Sequence, residues 1–171
     1  DDAVGECFDK VARMMGIPYP GGPKISKLAA EARAAGILSP EPLPRPMIKS
    51  MDFDFSFSGL KTAVLYLTQK LTKGENGAVI PLTENQIKGI AREVEDAVTD
   101  VIVAKVAAAA EKYIAETLIV GGGVIANTHI RKALETLANN SNMSLLLPQT
   151  DHATDNGLMI ALAGYFGRTR A

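Results

Sequence analysis

One cysteine in 171 residues, Cys7, leaves no internal disulfide to form and fits a reducing compartment. No apolar run reaches the roughly 20 residues that a membrane-spanning helix needs. Neither sign of charge dominates, and the net charge is −1. That balance makes no general electrostatic case for nucleic acid, so any RNA contact needs a local basic patch or another part of the molecule. His129 and His152 are lone histidines without ligand-type spacing, and surface or capping roles account for both. No Cys-His or Ser-His-Asp pattern, zinc-ligand spacing, internal repeat or low-complexity tract occurs. The remainder is ordinary for a globular chain, with 47% hydrophobic and 22% charged residues. At this length one domain with a sizeable core is expected. The chain starts at Asp1, without an initiator methionine and at what reads as the edge of a helix. It is therefore expected to be part of something longer.

The most informative stretch is 117–127, TLIVGGGVIAN. Thr117, Leu118, Ile119 and Val120 are apolar or β-branched and predict a short buried strand. Gly121, Gly122 and Gly123 follow, and from Val124 the residues Ala126, Ile130, Ala133 and Leu137 have helical spacing. Strand, glycine turn and helix start together suit a phosphate or nucleotide, because glycine lets backbone approach a ligand and the helix N-terminus favours an anion. The spacing is neither the dinucleotide fingerprint nor a P-loop, since no Lys-Ser/Thr follows. A tight turn in an ordinary α/β domain explains this stretch equally well.

Upstream, Asp1 or Asp2 is placed to cap a helix reaching about Met15, stopped by Gly16. Val4, Phe8, Val11 and Met15 form its apolar face; Asp9 lies on the other side, available to a cleft or paired with Arg13. Residues 17–22, IPYPGG, make a rigid turn whose glycines allow either a close ligand or a plain helix connection. Pro23 starts a helix to Gly36. Pro40, Pro42, Pro44 and Pro46 exclude helix and central strand, leaving an extended surface connector. In 52–58, DFDFSFS, alternating Phe53, Phe55 and Phe57 predict a half-buried strand whose aromatics face the core or stack a base. Ser58 is placed to cap a helix from Gly59 to about Thr72. Thr83 and Gln86 have capping-box spacing and open the longest helix, to about Tyr113.

Beyond Asn127 a helix to about Ala138 leads to a second strand at 143–147, so a parallel βαβ unit follows. TDHATDNG, 150–157, then gathers Asp151, His152, Asp155 and Asn156 at the end of that strand, where α/β folds place ligands. Helix capping also accounts for Asp155 and Asn156. A small apolar helix from Leu158 to Phe166 closes the chain.

Four separated stretches carry a family resemblance: DDAVGECFDKVARMMGIPYPGGP, FDFSFSGLKTAV, GGGVIAN and TDNGLMIALAG. In this order they resemble the catalytic subunit of bacterial tRNA threonylcarbamoyladenosine synthase, formerly called O-sialoglycoprotein endopeptidase or glycoprotease. The resemblance spans essentially all of residues 1–171 and corresponds to the C-terminal portion of a family member. It implies an α/β fold with substantial helical content, part of an actin-like ATPase in which two ribonuclease-H-like lobes enclose a nucleotide. By resemblance Asp9 binds the ribose side of an adenylate, Gly22 is the ligand-contacting glycine of PGGP, and Asn127 ends GGGVxAN. Asp155 matches a metal-ligating aspartate. Ser26 stands where archaeal relatives have glutamate.

The family's two metal-ligating histidines, spaced H-x-x-x-H, and its N-terminal phosphate-binding segment are not in this chain. One carboxylate does not fill a metal's coordination, so the site is expected to be at most half built. The resemblance implies transfer of a threonylcarbamoyl group from its adenylate to the exocyclic amine of an adenosine beside the tRNA anticodon. It also implies a divalent metal (iron or zinc), ATP or threonylcarbamoyl-adenylate as ligand, and a cytoplasmic setting. The implied partners are tRNA, the adenylate-forming enzyme and a paralogous dimerisation partner, with no membrane. Three rivals are another actin-like enzyme such as a sugar or acetate kinase, the older metalloendopeptidase assignment, and a non-catalytic dimerisation or interaction module.

Overall fold

A computed structural model of the chain describes residues 3–74, 77–149, 153 and 157–167. In chain order the helices and strands are α1 (Val4–Met14), α2 (Gly21–Ala34), α3 (Ser58–Thr72), α4 (Glu84–Tyr113), β1 (Thr117–Ile119), α5 (Thr128–Asn140), β2 (Ser144–Leu146) and α6 (Gly157–Gly167). A 3-10 turn, Gly123–Ala126, links β1 to α5. Helix thus dominates, with a small parallel sheet.

The long helix α4 organises the packing. The Gln86 N–H donates to the Thr83 hydroxyl at 3.3 Å, and the Thr83 N–H donates to Gln86 Oε1 at 2.8 Å, completing the capping box. Ile90, Ala91, Val94, Ala97, Val98 and Val101 are fully buried along one stripe, against α2 and α5. At Gly89 an added Cβ would lie 2.4 Å from the Leu38 carbonyl oxygen, so the proline-rich connector rests directly on the helix backbone. That connector is extended, as its prolines require, but it is more than a surface loop. Leu43 is buried and its N–H donates to Glu93 Oε1 at 3.0 Å, while Arg45 Nε donates to Asp100 Oδ2 at 2.9 Å.

Several local expectations are corrected. Ala3, not Asp1 or Asp2, is the N-cap of α1, and those two aspartates lie outside the described residues. Helix α2 begins at Gly21, so Pro23 sits inside its first turn. Residues 52–58 form no strand: among the described residues the sheet is β1 and β2 alone, and this segment lies against α4 instead, with Lys105 bonded to the Asp52 carbonyl. Its alternation reports one buried aromatic instead: Phe57 enters the core beside Cys7, Phe55 is exposed, and Phe53 meets Tyr113 with 5.8 Å between ring centroids. Buried Lys105 donates to Asp52 Oδ1 at 2.9 Å and to Ser50 Oγ at 2.6 Å, anchoring this segment to α4 and holding the Asp52 carboxyl below its usual range. Phe57 is the N-cap of α3, with no side-chain cap bond, and Ser58 is its first residue.

The βαβ unit forms as expected, with Thr117 opposite Ser144 and Ile119 opposite Leu146 in parallel register. Its strands are not buried, however. Ile119 is 74% exposed and Leu146 54%, side by side on one face of the sheet. All of α6 is equally open, with Leu158, Met159, Ile160, Tyr165 and Phe166 exposed and no residue buried. Among the described residues no helix is long and apolar enough to cross a membrane.

Candidate functional site

The turn between α1 and α2 splits the two glycines of PGGP into different tasks. Asp9 Oδ1 accepts a hydrogen bond from the Gly21 N–H at 2.6 Å, so a carboxylate from α1 caps the positive end of α2. Asp9 is therefore engaged across the turn rather than with Arg13. A Cβ at Gly21 would lie 2.6 Å from Ala12 Cβ, 2.8 Å from Asp9 Cα and 2.9 Å from the Phe8 oxygen. Only glycine fits where the two helices touch. Gly22 is different, since a Cβ there meets nothing closer than Phe8 at 3.9 Å.

Opposite lies the GGG turn. Gly122 has φ +92°, a conformation that side-chain-bearing residues rarely adopt, and it redirects the chain from β1 into the 3-10 turn. The regular helix therefore starts at Thr128 rather than Val124, with Asn127 as N-cap. Asn127 Oδ1 accepts from the N–H groups of His129 and Ile130, each at 3.0 Å.

Between these two walls is a cavity of about 530 Å³, within the size range of small-molecule sites. Asp9, Gly22 and Asn127, far apart in sequence, all line it. So do Ser26 and Lys27, in the second turn of α2. The N-termini of α2 and α5 both border this space, which suits an anionic group. The second oxygen of Asp9 has no partner among the described residues, leaving it to accept from a ligand hydroxyl.

Beneath the cleft is a charge network that the periodicity of α4 did not lead us to expect. Glu95, whose side chain is 0% exposed, accepts from Arg33 Nη1 and from Asn127 Nδ2, both at 2.5 Å. Its neighbour Asp96 also pairs with Arg33, and with His129 Nε2 at 3.1 Å. Burial pushes the Asp96 carboxyl up, but hydrogen bonds from His129 and Arg33 and their charges outweigh it and bring it down to about 2. The available signal was an acidic residue inside an apolar stripe: Glu95 stands four after Ala91 and three before Val98, both buried.

Asp155 lies outside the described residues, as do Asp151, His152 and Asn156. Among the described residues no group of three or more His, Cys, Asp or Glu side chains is placed to hold a metal ion.

Residues 1–162 match the family described as TsaD: tRNA N6-adenosine threonylcarbamoyltransferase. The chain belongs to this family. Relatives named tRNA N6-adenosine threonylcarbamoyltransferase include proteins from Burkholderia pseudomallei, 45% identical over 164 residues, and Thermosipho africanus, 42% identical over 165. A third, from Thiobacillus denitrificans, is 46% identical over 164 residues. Each alignment takes in 96% of this chain but 44% to 46% of the relative, so the chain spans about half the length of the curated relatives it matches. The cleft residues Asp9, Gly22 and Asn127 all fall within the stretch matched to the TsaD family. None of the three relatives is named as a kinase or a peptidase.

Proposed function

We propose that these 171 residues work as the C-terminal portion of a tRNA threonylcarbamoyltransferase and supply one lobe's side of its nucleotide cleft. The observation that carries this reading is the convergence of Asp9, Gly22 and Asn127 on one cavity. The family membership and the printed names of the relatives support the chemistry. In this reading the chain is part of an actin-like ATPase fold with ribonuclease-H-like lobes, acting in the cytoplasm. The substrates are threonylcarbamoyl-adenylate and tRNA, with ATP as a further ligand of the same cleft. An adenylate-forming enzyme and a paralogous dimerisation partner complete the system, and no membrane is involved.

In the reaction the exocyclic amine of the adenosine beside the anticodon attacks the carbamoyl carbon. The C–N bond forms as the bond from that carbon to the phosphate oxygen breaks, AMP leaves, and the amine loses a proton. This chain's residues bind and orient. Asp9 accepts a hydrogen bond from a ribose hydroxyl through its open oxygen, Gly22 lets backbone come close, and Asn127 offers an amide N–H. Alignment of this kind converts binding into rate by holding amine and carbonyl in register. None of these residues is assigned as general acid or base.

The resemblance also implies a divalent metal, iron or zinc, with Asp155 as a ligand. The described residues provide no donor set for it. When bound, such an ion polarises a carbonyl or holds a phosphate. The test uses the complete protein, a polypeptide of the relatives' length carrying these residues. Labelled threonine is supplied with the adenylate-forming partner and unmodified tRNA. Asp155→Ala is expected to lower bound metal and transfer together, and unchanged metal by elemental analysis sinks that assignment. Wild-type transfer by Asp9→Ala and Asn127→Ala would remove the cleft from the reaction.

A further inference from the structure

The geometry points to Glu95, held by Arg33, as the positioning residue that decides which way the Asn127 amide faces in the cleft; this inference rests on the nucleotide reading above. Asn127 is required twice by the fold. Its oxygen takes the N–H groups of His129 and Ile130, and its nitrogen donates to Glu95 Oε1 at 2.5 Å. Turning the amide over would aim an NH2 group at two N–H donors and an oxygen at a carboxylate. Every contact would then become repulsive, so one orientation alone satisfies the site.

The consequence for the cleft is a polarity. With the carbonyl side and one N–H spent, Asn127 has a single N–H left to give. A ligand atom meeting it must be an acceptor: a ring nitrogen, a hydroxyl or carbonyl oxygen, or a phosphate oxygen. Across the cavity Asp9 offers only an acceptor. One wall therefore donates and the other accepts, a pairing suited to a ribose or base edge.

A buried carboxylate is a costly way to do this. Apolar side chains of similar volume often stabilise a fold as well as a buried ion pair does, and the stripe around Glu95 is already apolar. What a methyl group lacks is an acceptor that orients an amide. Arg33 neutralises Glu95 and bonds its other oxygen. Because Arg33 belongs to α2, the same pair ties the wall bearing Gly22 to the wall bearing Asn127.

The test is a cycle in the complete protein, with ATP affinity read by calorimetry and adenylate turnover read as KM against kcat. Glu95→Gln keeps the shape but leaves one acceptor oxygen for two donors; the charged Arg33 guanidinium takes it, so the NH2 faces the Asn127 N–H and releases that amide. We expect ATP affinity to fall about tenfold, with KM rising and kcat little changed, the size of one lost hydrogen bond. Asn127→Ser keeps a helix cap but removes the N–H, and is expected to weaken ATP similarly. The double variant should bind no more weakly than Asn127→Ser alone. Glu95→Gln binding ATP as wild type, while Asn127→Ser is weakened, overturns the positioning role and leaves the nucleotide reading intact. A Glu95→Gln loss that persists in the Asn127→Ser background also overturns it, because Glu95 would then act through the scaffold at large. If Asn127→Ser changes nothing, the nucleotide reading fails and takes the inference with it. Glu95→Met serves if Glu95→Gln does not fold: it keeps the length, removes both acceptors and leaves Arg33 paired with Asp96, and wild-type ATP affinity in that variant would equally refute the role.

Discussion

Gly21 and Gly22 are adjacent and chemically identical, yet the fold asks opposite things of them. Gly21 sits where α1 and α2 touch, with Ala12 Cβ 2.6 Å from the place a methyl would occupy. Gly21→Ala is expected to destabilise by about 1–3 kcal/mol through overpacking, read as a lower urea midpoint. Gly22→Ala should unfold like the wild type, so any loss of nucleotide affinity it causes belongs to the cleft. Single residues were also the hardest scale to read from the sequence. Helical spacing put Asp9 on the polar side of α1 but favoured Arg13 over a ligand as its partner; only folding the turn back brings Gly21 to it. Asn127 was singled out through its motif, whereas Glu95 passed unnoticed, because a pattern of apolar residues does not say what a lone carboxylate among them will meet.

Among the elements, α2, α4 and the start of α5 are bolted together by Arg33, Asp96 and His129. Asp96 sits at about 2 when folded, against an ordinary 3.8. A carboxyl lowered on folding stabilises fully above its unfolded value, and that contribution disappears as pH falls toward the folded value. Discounted for solvent screening, the bolt is worth about 1–2 kcal/mol at neutral pH, and most of it should vanish between pH 4 and pH 2. Asp96→Asn should therefore be less stable than wild type at pH 6 and converge with it near pH 2. A constant gap across denaturation curves in that window would show that Asp96 does not carry the effect. The helices were the legible elements: the capping box at Thr83 and the stripe from Ile90 to Val101 announce α4 without help from the rest of the chain. Residues 52–58 misled because alternation is a statement about burial, while a strand also requires a hydrogen-bonding neighbour. Phe57 found the core, and the backbone found side chains and a helix turn to bond rather than a neighbouring strand.

At the scale of the molecule, two apolar surfaces stand open: the Ile119 and Leu146 face of the sheet, and α6 from Leu158 to Phe166. Exposed patches of this kind drive association. The 171 residues alone are expected to fold and to form dimers in sedimentation at micromolar concentration, while modifying no tRNA, because a cleft open on the side of the opposing lobe leaves its polar groups solvated. Turnover by this chain at the rate of the complete protein would mean that the reacting centre lies elsewhere. Strands that read as buried are half exposed here, because no described residue covers the Ile119 and Leu146 face. The sole thiol, by contrast, is fully enclosed. Cys7 lies in the core at 0% exposure, on the same helix that turns Asp9 toward the cleft. It is a built-in clock for opening: a thiol reagent can reach it only when the core comes apart, so its labelling rate counts excursions out of the native state. Adding nucleotide should slow that clock in proportion to binding, without any probe being engineered into the protein.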